Sequence, residues 1–117
     1  MSYVDGFVAA VPDVNKDTFI EHAKIMARVL KDNGALQVVD TWGDEIPEGE
    51  ITSFPFAVKK KEGETVAFSW IIWPSKAIRD AGWQASMQDP RMDPETNPMP
   101  FDGKRLIYGG FTIVSEI

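Results

Sequence analysis

Apolar positions recur with the strand period of two in four stretches and with the helix period in two, in the order strand, helix, strand, strand, helix, strand. Thr65 to Lys76, TVAFSWIIWPSK, holds the longest apolar run. At period two, Val66, Phe68, Trp70 and Ile72 point one way and Ala67, Ser69, Ile71 and Trp73 the other. A half-buried strand alternates apolar with polar, whereas this one is apolar on both sides apart from a serine, which predicts a central strand covered on both faces. Pro74 lacks the amide donor a ladder needs and closes it. Tyr3 to Val11 reads the same way, with Phe7, Ala9 and Val11 on one face, Val4, Val8 and Ala10 on the other, and Pro12 as its end.

Asn15 is placed to cap a helix, with Asp17 in the first turn, where the helix dipole favours an anion. Phe19, Ala23, Met26, Ala27 and Leu30 form its apolar stripe, and Gly34 suits the left-handed position beyond its end. Ala35 to Trp42 is a second, more polar strand, as an edge strand should be. Residues 43–64 lose all period, and the island Phe54 to Val58 reads as a short extended piece, a hairpin arm leading into the central strand. Ser75 caps a second helix whose inner face is read as Ile78, Ala81 and Ala85, with Trp83 and Met87 off that face. Asp89-Pro90 breaks it. Residues 89–103 carry four of the eight prolines, and so long a connection in a small domain is usually functional or mobile. Lys104 to Val114 is the last strand, and its Gly109-Gly110 pair signals a bulge or a close approach by another group.

Composition narrows the picture. A chain of 117 residues, 44% hydrophobic and 26% charged, is long enough for one domain with a real core, taken as 1–117. Without cysteine there is neither disulfide nor thiolate metal site, and no basic leader precedes the first strand, so a cytoplasmic location without cofactor is expected. No apolar run reaches membrane-spanning length. A net charge of -6 argues against a nucleic-acid partner, and Lys59, Lys60 and Lys61, the one basic run, adjoin Glu62 and Glu64 as a solvated turn does.

The element order packs economically as a ferredoxin-like βαββαβ unit of the α+β class, a four-stranded antiparallel sheet with both helices on one face. The first and third strands are central in that topology, and they are the two that read as buried on both sides. The second face is then left apolar and open, which calls for a partner, and a homodimer pairing sheet against sheet in a dimeric α/β barrel is the expected answer. The stretches YVDGFVAAVP, GALQVVDTWGDEIPEG, ETVAFSWIIWPSKAIRDAG, DPRM and MPFDGKRLIYGGF cover nearly the whole chain. In them the sequence resembles the YbaA-like family of uncharacterised bacterial proteins. That resemblance implies the dimeric α/β-barrel class and no established activity.

The polar residues leave several readings open. His22, the one histidine, lies at the border of the first helix's apolar stripe and is either a boundary packing residue, a general base or an axial haem ligand. Asp5 and Asp40 interrupt strands and Arg105 begins one. Asp5 and Arg105 fall on neighbouring strands and are expected to pair, in a structural or a catalytic role. Trp42, Trp70, Trp73 and Phe111 line either an apolar pocket, with Tyr108 as its polar tip, or the core and a dimer interface. The 89–103 loop is either a lid over that pocket or an arm gripping a partner. No phosphate loop, nucleophile elbow or paired-histidine motif is present. Function is thus bounded to small-molecule binding in a homodimer or a cofactor-independent enzyme of the oxygenase or isomerase type, with a purely protein-contacting role predicting no enclosed cavity.

Overall fold

The two most apolar strands pair with each other along their whole length, β1 (Tyr3–Pro12) antiparallel to β3 (Glu64–Trp73), in register from Tyr3 opposite Trp73 to Pro12 opposite Glu64. In this computed structural model, which describes residues 2–117, β2 (Gln37–Asp40) lies outside β3 and β4 (Ile107–Thr112) outside β1. The order β2-β3-β1-β4 is antiparallel throughout and puts β1 and β3 in the centre. Helix α1 (Lys16–Asp32) follows β1, a short helix α2 (Phe54–Ala57) precedes β3, and α3 (Lys76–Ser86) follows it. This is the expected ferredoxin-like α+β fold with its four-stranded antiparallel sheet.

One face of the sheet is built from alternate residues of the central strands. Ala9, Val11 and Ala67 pack on Phe19 of α1, while Ile71 and Trp73 pack on Leu30 of α1 and Trp83 of α3. The expected α1 stripe is seen, with Phe19, Ala23 and Leu30 buried, and Val29, off that stripe, is fully buried as well. The helix ends as anticipated. Gly34 takes φ +110°, the Ala35 amide donates to Leu30 O and the Gly34 amide to Lys31 O, a Schellman closure. Its start differs. Asn15 makes no side-chain cap, and its Nδ2 donates instead to Pro100 O at 2.9 Å, tying the helix to the long loop.

Four more readings are corrected. Phe54–Ala57 is a turn of helix rather than an extended arm, because Ser53 Oγ accepts from the Phe56 amide and Pro55 suits a first turn. The residue after it, Val58, is fully buried with Val8, Ala10 and Val66. Residues 43–64 thereby cover one end of the face opposite α1 and α3. On α3, Ser75 caps as expected, accepting from the Ile78 amide at 3.2 Å. The face turned inward is however Gly82, Trp83 and Ser86, and Ile78, Ala81 and Ala85 are exposed. Gly82 is the reason. A Cβ there would run into the Trp73 ring and lie 2.6 Å from Asn33 O, so only glycine lets α3 come this close to β3. Finally, β2 is shorter than Ala35–Trp42 and β4 shorter than Lys104–Val114, the latter because 103–105 form a 3-10 turn.

The rest of the second face stays open. Phe68 is 40% exposed, Ile107 41% and Phe111 59%, next to the half-buried Val4, Trp70 and Ile72. No helix among the described residues is long and apolar enough to cross a membrane.

Candidate functional site

Three clusters of polar side chains interrupt the apolar packing, and they differ in what they leave unpaired. The first centres on Asp5, 3% exposed in the middle of the sheet. Its Oδ2 accepts from Trp73 Nε1 and Trp83 Nε1, each at 2.9 Å, and Arg79 donates Nη2 to Oδ1 at 2.8 Å and Nε to both oxygens. Arg79 lies over the Tyr3 ring at 5.1 Å and also meets Asp80. The expected Asp5–Arg105 pair is not formed. Asp5 faces Gly110 across the β1–β4 ladder, and a Cβ at Gly110 would collide with Tyr3 Oη and lie 2.9 Å from Arg79 Nη2. The glycine pair in β4 therefore marks a close approach, by the group that takes the place foreseen for Arg105. Hydrogen bonding to Asp5 holds the Arg79 guanidinium further above its ordinary range, against the opposing effect of burial.

Arg105 belongs to the second cluster. Its Nη1 and Nη2 grip both oxygens of Glu64 at 2.8 and 2.7 Å, its Nε reaches Asp102, and Nη1 also donates to Lys59 O. Glu64 is 9% exposed, and the Arg105 hydrogen bonds bring its carboxyl from 4.5 to about 2, with desolvation opposing and the Lys61 amide assisting. This cluster clips the end of the 89–106 segment to the start of β3. A smaller clip, Asp89–Arg91–Asp32, fastens the beginning of the same segment to α1. The Asp89 carboxyl is lowered to about 2, chiefly by hydrogen bonds from the Arg91 side chain.

Between those clips the segment crosses a cavity of about 100 Å³ bounded by the sheet and α1. Its walls are Phe7, Ala9, Ala67 and Ile71 from the sheet, Phe19, Ala23, Met26 and Leu30 from α1, and Met99, Phe101 and Leu106 from the segment above. Three polar side chains interrupt this lining: His22, Asp40 and Ser69. Asp40 and Ser69 are directly opposite on β2 and β3, and Ser69 Oγ donates to Asp40 Oδ1 at 2.7 Å. His22 Nδ1 lies 2.9 Å from Asn97 Oδ1 in the covering segment. The Asn97 amide nitrogen donates to Arg91 O at 3.4 Å, so its oxygen is the atom that faces the imidazole. In the neutral imidazole Nδ1 then carries the hydrogen, and Nε2 keeps its lone pair.

Of the residues singled out in the sequence, the fold brings His22 and Asp40 to one cavity. Asp5 and Arg105 are engaged elsewhere. Tyr108 is 74% exposed and stacks on Phe7 at the sheet edge. Trp70 borders the cavity, but its ring lies tilted against Phe68 and its Nε1 donates to Gln37 on the open face. Trp73 is buried core, and Phe111 is exposed on that open face. Trp42 packs on Phe19 beneath Lys16, outside the cavity in an adjoining groove. Trp83 meets Phe7 and Trp73, while Met87 is exposed. Ser69 and Asn97 were missed. Ser69 was visible as the lone polar residue of an apolar strand, whereas nothing local distinguishes Asn97. No group of three or more acidic, histidine or cysteine side chains among the described residues is arranged to hold a metal.

A family model described as protein of unknown function, DUF1428, matches residues 2–103. The chain is 52% identical to the uncharacterized protein YbaA of Escherichia coli K12, over 99% of its own length and 100% of that protein's. The same identity relates it to YbaA of Shigella flexneri. Among solved structures it is similar to a dimeric ferredoxin-like protein from an uncultured marine organism, with TM-score 0.65, 13% identity and coverage of 99% and 98% of the two chains. It is also similar to a mutant of SnoaB, a cofactor-independent oxygenase from Streptomyces nogalater, with TM-score 0.56, 14% identity and coverage of 99% and 96%. At these identities the two structures establish the shared fold.

Proposed function

We propose that this chain, which belongs to the DUF1428 family of proteins of unknown function, binds a small, largely apolar molecule between α1 and the sheet and does so as a homodimer. The observation that carries this reading is the cavity itself: apolar walls, three convergent polar side chains, and a covering segment clipped down at both ends. A protein that only mediated contacts would have no use for such a space. The homodimer reading is supported by Phe68, Ile107 and Phe111, which leave the open face apolar on β3 and β4, and by a structural neighbour described as dimeric.

Native mass spectrometry of the freshly purified protein tests both parts. A dimer retaining a small molecule is expected, with the molecule lost in Ala23→Leu, which fills the cavity from α1. A monomer removes the homodimer, and a dimer that retains nothing and responds thermally to no apolar fragment removes the pocket reading. A second reading, a cofactor-independent enzyme, is favoured by one observation: the contact of His22 Nδ1 with Asn97 Oδ1 in the cavity wall, which in the neutral imidazole leaves Nε2 as the base. Retained binding with lost turnover in His22→Gln is the outcome that selects it.

A further inference from the structure

Resting on the reading of the cavity as a small-molecule site, we infer that its ligand is a compact apolar molecule bearing a neutral hydroxyl donor, a phenol or alcohol, and that carboxylates and other anions are excluded. Every polar group in the wall is an acceptor. Ser69 spends its one hydrogen on Asp40, so its oxygen has only lone pairs left to offer. Asp40 is an anion with Oδ2 free of protein partners among the described residues. His22 spends Nδ1–H on Asn97, which leaves Nε2 as an acceptor. The nearby cation Lys24 borders the adjoining groove rather than the cavity, and it is paired with Glu21. A ligand carboxylate would therefore lose its hydration and meet no donor. A hydroxyl on an apolar body loses less hydration and finds three acceptors.

Size agrees with this class. A dry cavity of roughly 150 Å³ is known to take a benzene ring; the present space of about 100 Å³ is smaller, with the exposed Met99 and Asp40 among its lining residues. That limits the ligand to a short branched chain or a single ring that projects at that margin. A full ammonium fits less well than a hydroxyl, since the walls are apolar and Asp40 sits at their exposed margin. Asn97 is thus a positioning residue: held by the Arg91 carbonyl, it sets which imidazole nitrogen faces the ligand.

The test uses phenol, toluene, benzoate and benzylamine, four single-ring probes, titrated against nitrogen-15-labelled full-length protein by NMR. Phenol is expected to bind about tenfold more tightly than toluene, the gain from a hydrogen bond, with benzoate weaker than toluene and benzylamine weaker than phenol. In Asn97→Ala the imidazole nitrogen shifts of His22 should lose the pure Nδ1–H pattern, and the preference for phenol over benzoate should narrow. His22→Phe keeps an apolar wall but removes one of the three acceptors, and should narrow the preference for phenol over toluene. Benzoate or benzylamine binding as well as phenol overturns the inference while leaving the pocket standing. Toluene matching phenol does the same. No shift at Ser69, Ala67 or His22 with any probe removes the small-molecule reading itself.

Discussion

The Asp5 cluster and the His22 cavity lie on the same side of the same sheet, yet their polar groups are accounted for in opposite ways. Asp5 receives donors from three side chains on two elements, with both oxygens engaged and no room for a further partner. In the cavity, His22 and Ser69 spend their hydrogens on protein, Asp40 accepts one of them, and all three keep acceptor sites toward an apolar space. A buried charge with complete pairing is a fastening, because removing any member strands the others. An acceptor left over in an apolar cavity is a place for something else to bind. Polarity alone does not separate the two cases; the hydrogen-bond count does.

The sharpest way to break this comparison is Asp5→Ala. It leaves Arg79 and two indole N–H groups without their acceptor and should cost about 3–5 kcal/mol, read as a fall in Tm of about 10 °C or more in a thermal melt. A melt close to that of the parent protein would mean the cluster is no fastening at all.

Next is the Glu64–Arg105 clip, whose effect depends on pH. The folded carboxyl sits at about 2 against an ordinary 4.5, so its contribution is complete above about 4.5 and drains away as pH falls toward 2. It amounts to about 3 kcal/mol at neutral pH. Urea melts of the parent protein and Glu64→Gln should therefore differ most near pH 7 and converge as pH approaches 2. A gap that stays constant with pH would contradict the assignment.

Gly82→Ala should be smaller, about 1–3 kcal/mol from overpacking against Trp73 and the Asn33 carbonyl, measured by the same melts. The smallest effect is expected in the cavity. Ser69→Ala and His22→Ala should each shift stability by no more than about 1 kcal/mol, since each gives up a single hydrogen bond from a half-buried position. If Ser69→Ala proved as costly as Asp5→Ala, the distinction between fastening and binding site would collapse.

The sheet and α1 were legible because their residues carry their own signal. β1 and β3 read as two-faced apolar strands, and two-faced strands must be central; Phe19, Ala23 and Leu30 recur at the helical period; Gly34 stands where a left-handed residue is required. The inner face of α3 was not legible. A stripe of apolar residues points to Ile78, Ala81 and Ala85, but the helix is drawn in by the absence of a side chain at Gly82 and by the polar tips of Arg79 and Trp83. The short helix after Ser53 was likewise hidden, its four residues being too few to show a period.

By itself, then, the sequence determined what each of the long elements is and which strands lie in the middle, because periodicity and capping are properties of neighbouring residues. It also raised His22, Asp40, Asp5 and Arg105 as polar residues in apolar surroundings. Which of them meet was decided only in three dimensions. Arg79 reaches Asp5 from 74 residues away, Glu64 claims Arg105 across 41, and Asn97 orients His22 across 75. Such partners are chosen by the geometry of α3 and of the 89–106 segment against the sheet, and no local pattern encodes a distance between side chains that chain connectivity leaves free.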